Sequence, residues 1–219
     1  MRSIKAVIFD MDGVLIDSEM YYMNELKHFV HDRFKKWIPD DELLKIVGAN
    51  GQTHWLVAMP YLPKEWTIID YQREYRQYLK KNPVNYKEIL FAGVSDAMYS
   101  IQNMGLRMSI ASSSPGQKIK EMLEKCELGK YIDFYLSRED VTNTKPNPEI
   151  YLKSARMHGM NTDQCIVIED SAIGIDAAVS AGMCVIAREE KRYSVNQSKA
   201  QFFFNSYLEL PELIKTIMQ

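Results

Sequence analysis

The chain of 219 residues has no run of about 18 consecutive apolar residues, which excludes a membrane-spanning helix. It has little net charge, −2, so no overall basic field draws it to nucleic acid or to an anionic membrane surface. Cysteine is scarce. Cys126, Cys165 and Cys184 are an odd set with neither short-range pairing nor metal-ligand spacing, which excludes a disulfide framework and fits reduced thiols in a cytoplasmic protein. His28, His31, His54 and His158 form no metal-binding pattern. Internal repeats and low-complexity tracts are missing too. A strand pattern begins almost at the first residue, which leaves no room for a signal peptide and adds to the expectation of a cytoplasmic location.

The most informative segment that is present is residues 8–15, Ile-Phe-Asp-Met-Asp-Gly-Val-Leu. An apolar run ends in two carboxylates at i and i+2, which share one side of an extended chain. Gly13 then allows a sharp turn. Two close carboxylates without a neutralising partner repel, so the pair fits a hard cation held by oxygen ligands, Mg²⁺ above all. A solvated strand-end turn is the other reading, because Asp-Gly is a common turn former.

Beyond this segment, short apolar runs alternate with helical patterns. Residues 4–9, 107–112, 165–169 and 183–187 read as strands, with 134–136 and 202–204 as further candidates. Helical spacing recurs at 94–103, 119–125 and 150–158. Short, wholly apolar strands suit the middle of a parallel sheet covered on both faces. The expected fold class is therefore α/β, a doubly wound parallel sheet of the Rossmann-like kind, with its site beyond the carboxyl ends of the strands. The core is expected at residues 1–16 and 89–219.

Residues 17–88 break the alternation and read as a small all-helical cap inserted after the first strand and lying over the site. Tyr22, Leu26, Phe29 and Val30 follow helix spacing, as do Ile68, Tyr71, Tyr75, Tyr78 and Leu79, and these aromatic stripes read as bundle core. Pro39-Asp40-Asp41-Glu42 is a helix start, and Pro60 and Pro63 mark breaks.

Three more constellations fall at strand ends. In Ser112-Ser113-Ser114-Pro115-Gly116-Gln117, Ser114 reads as a helix N-cap, Pro115 as the first helical residue and Gln117 as the reciprocal capping partner. The free N–H groups there, with the Ser112 hydroxyl, could hold a phosphate, though plain capping explains the same residues. Lys145, between Thr144 and Pro146, is placed either to point inward, neutralising a phosphate and keeping a carboxylate ionised, or to lie in solvent. Glu169-Asp170-Ser171 ends another apolar strand and offers further oxygen ligands, or a helix cap. Residues 189–204 are the least patterned stretch, and their basic start, Lys191-Arg192, reads as a loop near the site.

The order and spacing of these segments resemble the haloacid dehalogenase-like superfamily of phosphohydrolases and phosphomutases. Its four motifs align with Asp10-Met11-Asp12-Gly13, Ser112, Lys145-Pro146 and Glu169-Asp170, over essentially the whole chain. Within it, residues 10–18 and Glu169-Asp170-Ser171 look most like the branch of β-phosphoglucomutase and small sugar-phosphate phosphatases. The resemblance implies that Asp10 attacks phosphorus to give an aspartyl phosphate, and that Asp12, protonated at first, serves as general acid and then base. It implies Mg²⁺ held by Asp10, the Asp12 backbone carbonyl and Asp170, with Glu169 direct or through water. Lys145, Ser112 and the Ser113 N–H would stabilise the transferring phosphoryl group.

In that branch the cap sets specificity. The candidate contact loop is 48–54, with Asn50 and Gln52 as substrate-contacting candidates and His54 at its end. Sugar-phosphate mutases of this type carry an arginine in the loop and a histidine early in the first cap helix. Here the loop has no arginine, and Tyr22 stands at the helix position. Both departures favour hydrolysis of a small phosphate monoester, such as a sugar phosphate, over mutase chemistry. Dehalogenase and phosphonate-cleaving relatives do not need Asp12, and a non-enzymatic module on this fold would have lost motif residues. The expected partner is a small phosphorylated metabolite, not nucleic acid or membrane, and the expected assembly is a monomer or small homo-oligomer.

Overall fold

In the computed structural model, residues 3–48 and 51–219 are described. The first strand, β1 (Ala6–Phe9), is followed by four helices: α1 (Ser18–Phe34), α2 (Asp40–Leu43), α3 (Gly51–Ala58) and α4 (Ile68–Lys81). The chain then runs through α5 (Tyr86–Ile89), α6 (Val94–Asn103), β2 (Arg107–Ala111), α7 (Gly116–Lys125), β3 (Phe134–Leu136), α8 (Glu149–His158), β4 (Cys165–Glu169), α9 (Ala172–Ser180), β5 (Cys184–Arg188), β6 (Phe202–Phe204) and α10 (Leu210–Met218).

The six strands form one sheet in the order β3-β2-β1-β4-β5-β6, and every pairing is parallel. This confirms the doubly wound α/β class. All residues of β1, β4 and β5 are buried, as expected for strands covered by helices on both faces. The strand order reverses beside β1: the chain first extends the sheet through β2 and β3, then crosses back to lay β4 on the other side. Such a switch point leaves a crevice beyond the carboxyl ends of the two central strands. Register aligns Phe9 with both Ile110 and Ile168. Asp10 therefore leaves the sheet level with Glu169 and close to Ser112.

The chain divides into two compact units, Met1–Asp17 with Tyr86–Gln219, and Ser18–Asn85. Asp17 and residues 86–88 thus belong with the sheet and not with the helical insert. Backbone bonds show why: Asp17 N–H donates to Ile89 O at 2.7 Å and Phe91 N–H to Leu15 O at 3.0 Å, so the outgoing and returning chains are laced together before the insert begins.

The helical unit buries the expected stripe. Leu26, Phe29 and Val30 of α1 are fully enclosed, and the Phe29 ring packs against Tyr71, Tyr75 and Tyr78 of α4 at centroid distances of 6.2, 5.2 and 5.4 Å. Helix α4 opens on a reciprocal capping box between Thr67 and Asp70. Helix α2 begins at Asp40, directly after Pro39. Pro60 does not simply break the chain; it lies in a single 3₁₀ turn, Met59–Tyr61, that extends the end of α3.

Candidate active site

Beyond β1 the chain turns back on itself. Asp10 N–H still donates to Ile168 O at 2.9 Å, and Leu15 N–H then reaches back to Met11 O at 2.8 Å. Gly13 makes this possible with φ +72°. The space beside it is filled: a β-carbon at Gly13 would lie 2.0 Å from Asp170 Oδ2. The first acid-bearing loop therefore packs directly on the Asp170 carboxylate.

Lys145 points inward and is buried. Its Nζ donates to Asp10 Oδ1 at 2.6 Å and to Glu169 Oε1 at 2.7 Å, and lies 4.8 Å from the Tyr151 ring centroid. Burial alone would lower its proton affinity, but the charges of Asp10 and Glu169 outweigh that and hold Lys145 firmly protonated.

The two carboxylates it bridges differ. Burial pushes the Asp10 carboxyl up to about 8, against the pull of Lys145, with Glu169 and Asp12 adding repulsion. Burial acts on Glu169 in the same sense, yet Lys145 and the backbone N–H groups of Ser171 and Asp170 hold it below its usual range. Five hydrogen bonds reach Glu169. Oε1 accepts from Lys145 and from Tyr151 Oη, while Oε2 accepts from Asp170 N–H, Ser171 N–H and Ser171 Oγ. The carboxylate lies over the start of α9, where a β-carbon at Gly174 would meet Oε1 at 1.7 Å.

The serine cluster departs from expectation in one respect. Helix α7 begins at Gly116, with Pro115 as its cap and no side-chain cap bond. Ser114 is not the N-cap. Its hydroxyl is taken by Asp12, donating to Oδ2 at 2.6 Å. Gln117 bonds Glu121 and makes no capping box, and Gly116 N–H is satisfied by Glu139 instead. Proline fixes an extended entry one residue later than the pattern indicated, and a carboxylate from the turn after β1 competes successfully for the hydroxyl. Ser112 is buried and its Oγ accepts from Ser114 N–H at 3.0 Å, whereas Ser113 is exposed at the lip.

The donor set fits Mg²⁺. Asp10, Glu169 and Asp170 each place one carboxylate oxygen within 4.8 Å of the others. Asp170 is also driven well above its usual range, by burial first and then by repulsion from Glu169 and Asp10. Lys145 bonds two of the three buried carboxylates, and the attraction of Arg188 and Lys145 for Asp170 is outweighed. Oxygen donors without sulfur or imidazole match a hard divalent cation, whose charge would relieve Asp10 and Asp170.

Asn50 lies outside the described residues. Gln52 is exposed on α3. His54 lines a cavity of about 320 Å³ within the helical unit, together with Glu19, Tyr22, Ile46, Tyr75 and Leu79.

Three residues of the site's surroundings escaped sequence reasoning: Tyr151, Arg188 and Gln197. Arg188 did carry a signal, since a charge ending an apolar strand on the carboxyl side is the pattern that singled out Asp10 and Glu169. Tyr151 sits inside a helical run and Gln197 in an unpatterned loop, and neither announces itself.

An open parallel sheet with buried acids and a lysine at its switch point defines an α/β enzyme whose chemistry lies at the carboxyl ends of β1 and β4. The family follows from comparison: residues 7–188 match the haloacid dehalogenase-like hydrolases, and the chain belongs to that family. It is 30% identical over 188 residues to the phosphorylated carbohydrates phosphatase of Thermotoga maritima, covering 82% of each chain. It is also 30% identical over 189 residues to hexitol phosphatase B of Escherichia coli K12, covering 83% of this chain and 82% of that one. Among solved structures, a putative β-phosphoglucomutase from Thermotoga maritima superposes with TM-score 0.82 at 25% identity, covering 98% of this chain and all of that one.

Proposed function

We propose that this enzyme is a Mg²⁺-dependent phosphatase that hydrolyses a small phosphate monoester, a sugar or polyol phosphate, through an aspartyl phosphate on Asp10. The observation that carries the reading is the buried Lys145 bridge to Asp10 and Glu169, set beside Asp12, Ser112 and Asp170. The phosphatase relatives act on phosphorylated carbohydrates and hexitols by name, which supports the substrate class.

In this mechanism Lys145 orients Asp10 for in-line attack on phosphorus, and the charge of Mg²⁺ when bound would add to that of Lys145 to hold its carboxylate ionised against burial. Asp12, fixed by Ser114, gives a proton to the departing alcohol oxygen and then takes one from the water that opens the acyl phosphate. Ser112 and the Ser113 N–H hold the phosphoryl oxygens, with Lys145 adding positive charge. Asp10, Asp170 and the Asp12 carbonyl would hold Mg²⁺, which when bound neutralises charge on the phosphoryl group. Glu169, with its oxygens already hydrogen-bonded, acts by holding Lys145.

The test is phosphate release from a panel of sugar and polyol phosphates, with and without EDTA, with Asp10→Asn as control. Release that vanishes with EDTA and in the variant is the expected result. Isomerisation of β-glucose 1-phosphate without net release would replace the reading with a mutase. Release that persists in Asp10→Asn would refute the nucleophile.

A further inference from the structure

The end of β5 and the loop that follows it belong to none of the four motifs, yet together they bind two of them. Gln197 is buried. Its Nε2 donates to Asp170 O at 2.6 Å and to Arg188 O at 2.8 Å, and its Oε1 accepts from Glu190 N–H at 3.3 Å. Arg188, also buried, sends Nε to Gly13 O at 2.5 Å. Its guanidinium stacks on the Phe91 ring, 3.9 Å from the centroid, and its remaining end bonds Glu190 Oε2 at 3.1 Å. Glu190 is itself held by Arg192, which also pairs with Asp17.

These contacts close a ring. Asp170 is tied through its carbonyl to Gln197, Gln197 to the Arg188 backbone, the Arg188 side chain to Gly13, and Gly13 packs on the Asp170 carboxylate. None of the four can shift without moving the next. Because the Arg188 side chain is pinned by an aromatic face on one side and a carboxylate at its end, it cannot follow a loosened Gly13 loop.

We propose that Gln197 and Arg188 are positioning residues that set the Mg²⁺ affinity of the site by locking the Gly13 loop against Asp170. The inference rests on the Mg²⁺-dependent reading above. Mg²⁺ demands near-octahedral oxygen geometry and tolerates displaced ligands poorly. Hydrogen bonds that orient ligands from behind are accordingly worth about 10- to 100-fold in metal affinity. Gln197 acts on Asp170, and Arg188 acts on the turn that presents Asp10 and the Asp12 carbonyl.

The experiment is isothermal titration of the full-length protein with MgCl₂, for wild type, Gln197→Met and Arg188→Lys, with urea denaturation of each in EDTA. Ser154→Ala serves as the control for a purely structural loss, because it removes a buried hydrogen bond to Ser109 elsewhere in the sheet unit. The expected result is Mg²⁺ binding weakened by about tenfold or more in both ring variants and unchanged in Ser154→Ala. The Mg²⁺ concentration for half-maximal phosphate release should rise by the same factor. Should Gln197→Met fail to fold, Arg188→Lys, which keeps the charge but not the fork, carries the test alone. Wild-type affinity in the folded ring variants, or equal weakening in Ser154→Ala, overturns the positioning role while leaving the phosphatase reading intact. A wild-type protein that binds no Mg²⁺ overturns both.

Discussion

Ser114 Oγ lies 2.6 Å from Asp12 Oδ2, joining the residue after the Ser112-Ser113 pair to the second acid of the first motif across 102 positions of chain. The hydroxyl donates, so it fixes the rotamer of a part-buried carboxylate that, in the proposed mechanism, faces the leaving group. Ser114→Ala is expected to slow hydrolysis of a sugar phosphate by about tenfold, the loss of one hydrogen bond to a charged group. An ester with a strongly acidic leaving alcohol needs little protonation and should be slowed far less. Equal slowing of both esters would rule out an orienting role for Ser114.

Asp10 has opposite effects on turnover and on stability. Its carboxylate is buried with only partial compensation, which drives its proton affinity up, so Asp10→Asn removes a buried charge along with the proposed nucleophile. The amide oxygen still accepts from Lys145, whose ion partner Glu169 stays in place. Phosphate release should fall by about three orders of magnitude or more, while the thermal midpoint in EDTA does not drop. A parallel fall in midpoint would show that the residue holds the fold, and activity data on it would lose their meaning.

Glu169 is the reverse case. Both oxygens are fully engaged by Lys145, Tyr151, Asp170 and Ser171. Glu169→Gln would turn an amide toward one of these donor groups and strip Lys145 of a partner. Breaking a buried ion pair from one side costs about 3 kcal/mol or more, and urea denaturation at neutral pH should register it. A loss below about 1 kcal/mol would mean the network is looser than these bonds imply.

Glu190 provides the pH prediction. Burial would raise its carboxyl, but bonds from Arg192 and the charges of Arg192 and Arg188 bring it down from 4.5 to about 2. A carboxyl depressed by folding stabilises above its unfolded value and loses that contribution as pH falls toward its folded one. The stability gap between wild type and Glu190→Gln should therefore be full above pH 4.5 and close as pH approaches about 2. Chemical denaturation of both proteins across that range measures it, and a gap independent of pH would contradict the ion-pair assignment.

The parts of the fold that sequence revealed are those set by local pattern. Cys165–Glu169 and Phe134–Leu136 were delimited by the contrast between apolar runs and their polar ends, and α6 by helical spacing alone. Asp10, Glu169 and Asp170 stand out because charge at the carboxyl end of a buried strand has few structural uses, and Lys145 because it lies in a constrained turn between Thr144 and Pro146. Ser114 was misread for a physical reason: a serine before Pro-Gly satisfies every local rule for a cap, and only the tertiary approach of Asp12 redirects its hydroxyl. Glu169 stands beside Asp170 in sequence, and the structure brings an oxygen of each within 4.8 Å of one on Asp10. What separates the two is the direction each side chain takes at the start of α9, which depends on Gly174 leaving room. Gln197 lies in a stretch without periodicity, and its three bonds exist only once β4 and β5 are side by side.

The placement of β1 in the middle of the sheet has a consequence for biosynthesis. Asp10 is made long before Lys145, which lies 135 positions later, and β4 must still be added before β1 gains its second neighbour. Contacts so distant in sequence are slow to form because a long loop must close first. A nascent chain can shape its helical insert and pair β1 with β2 well before any reacting group has its counter-charge. A chain not yet extended through Lys145 and β4 therefore lacks the buried bridge between Asp10, Lys145 and Glu169.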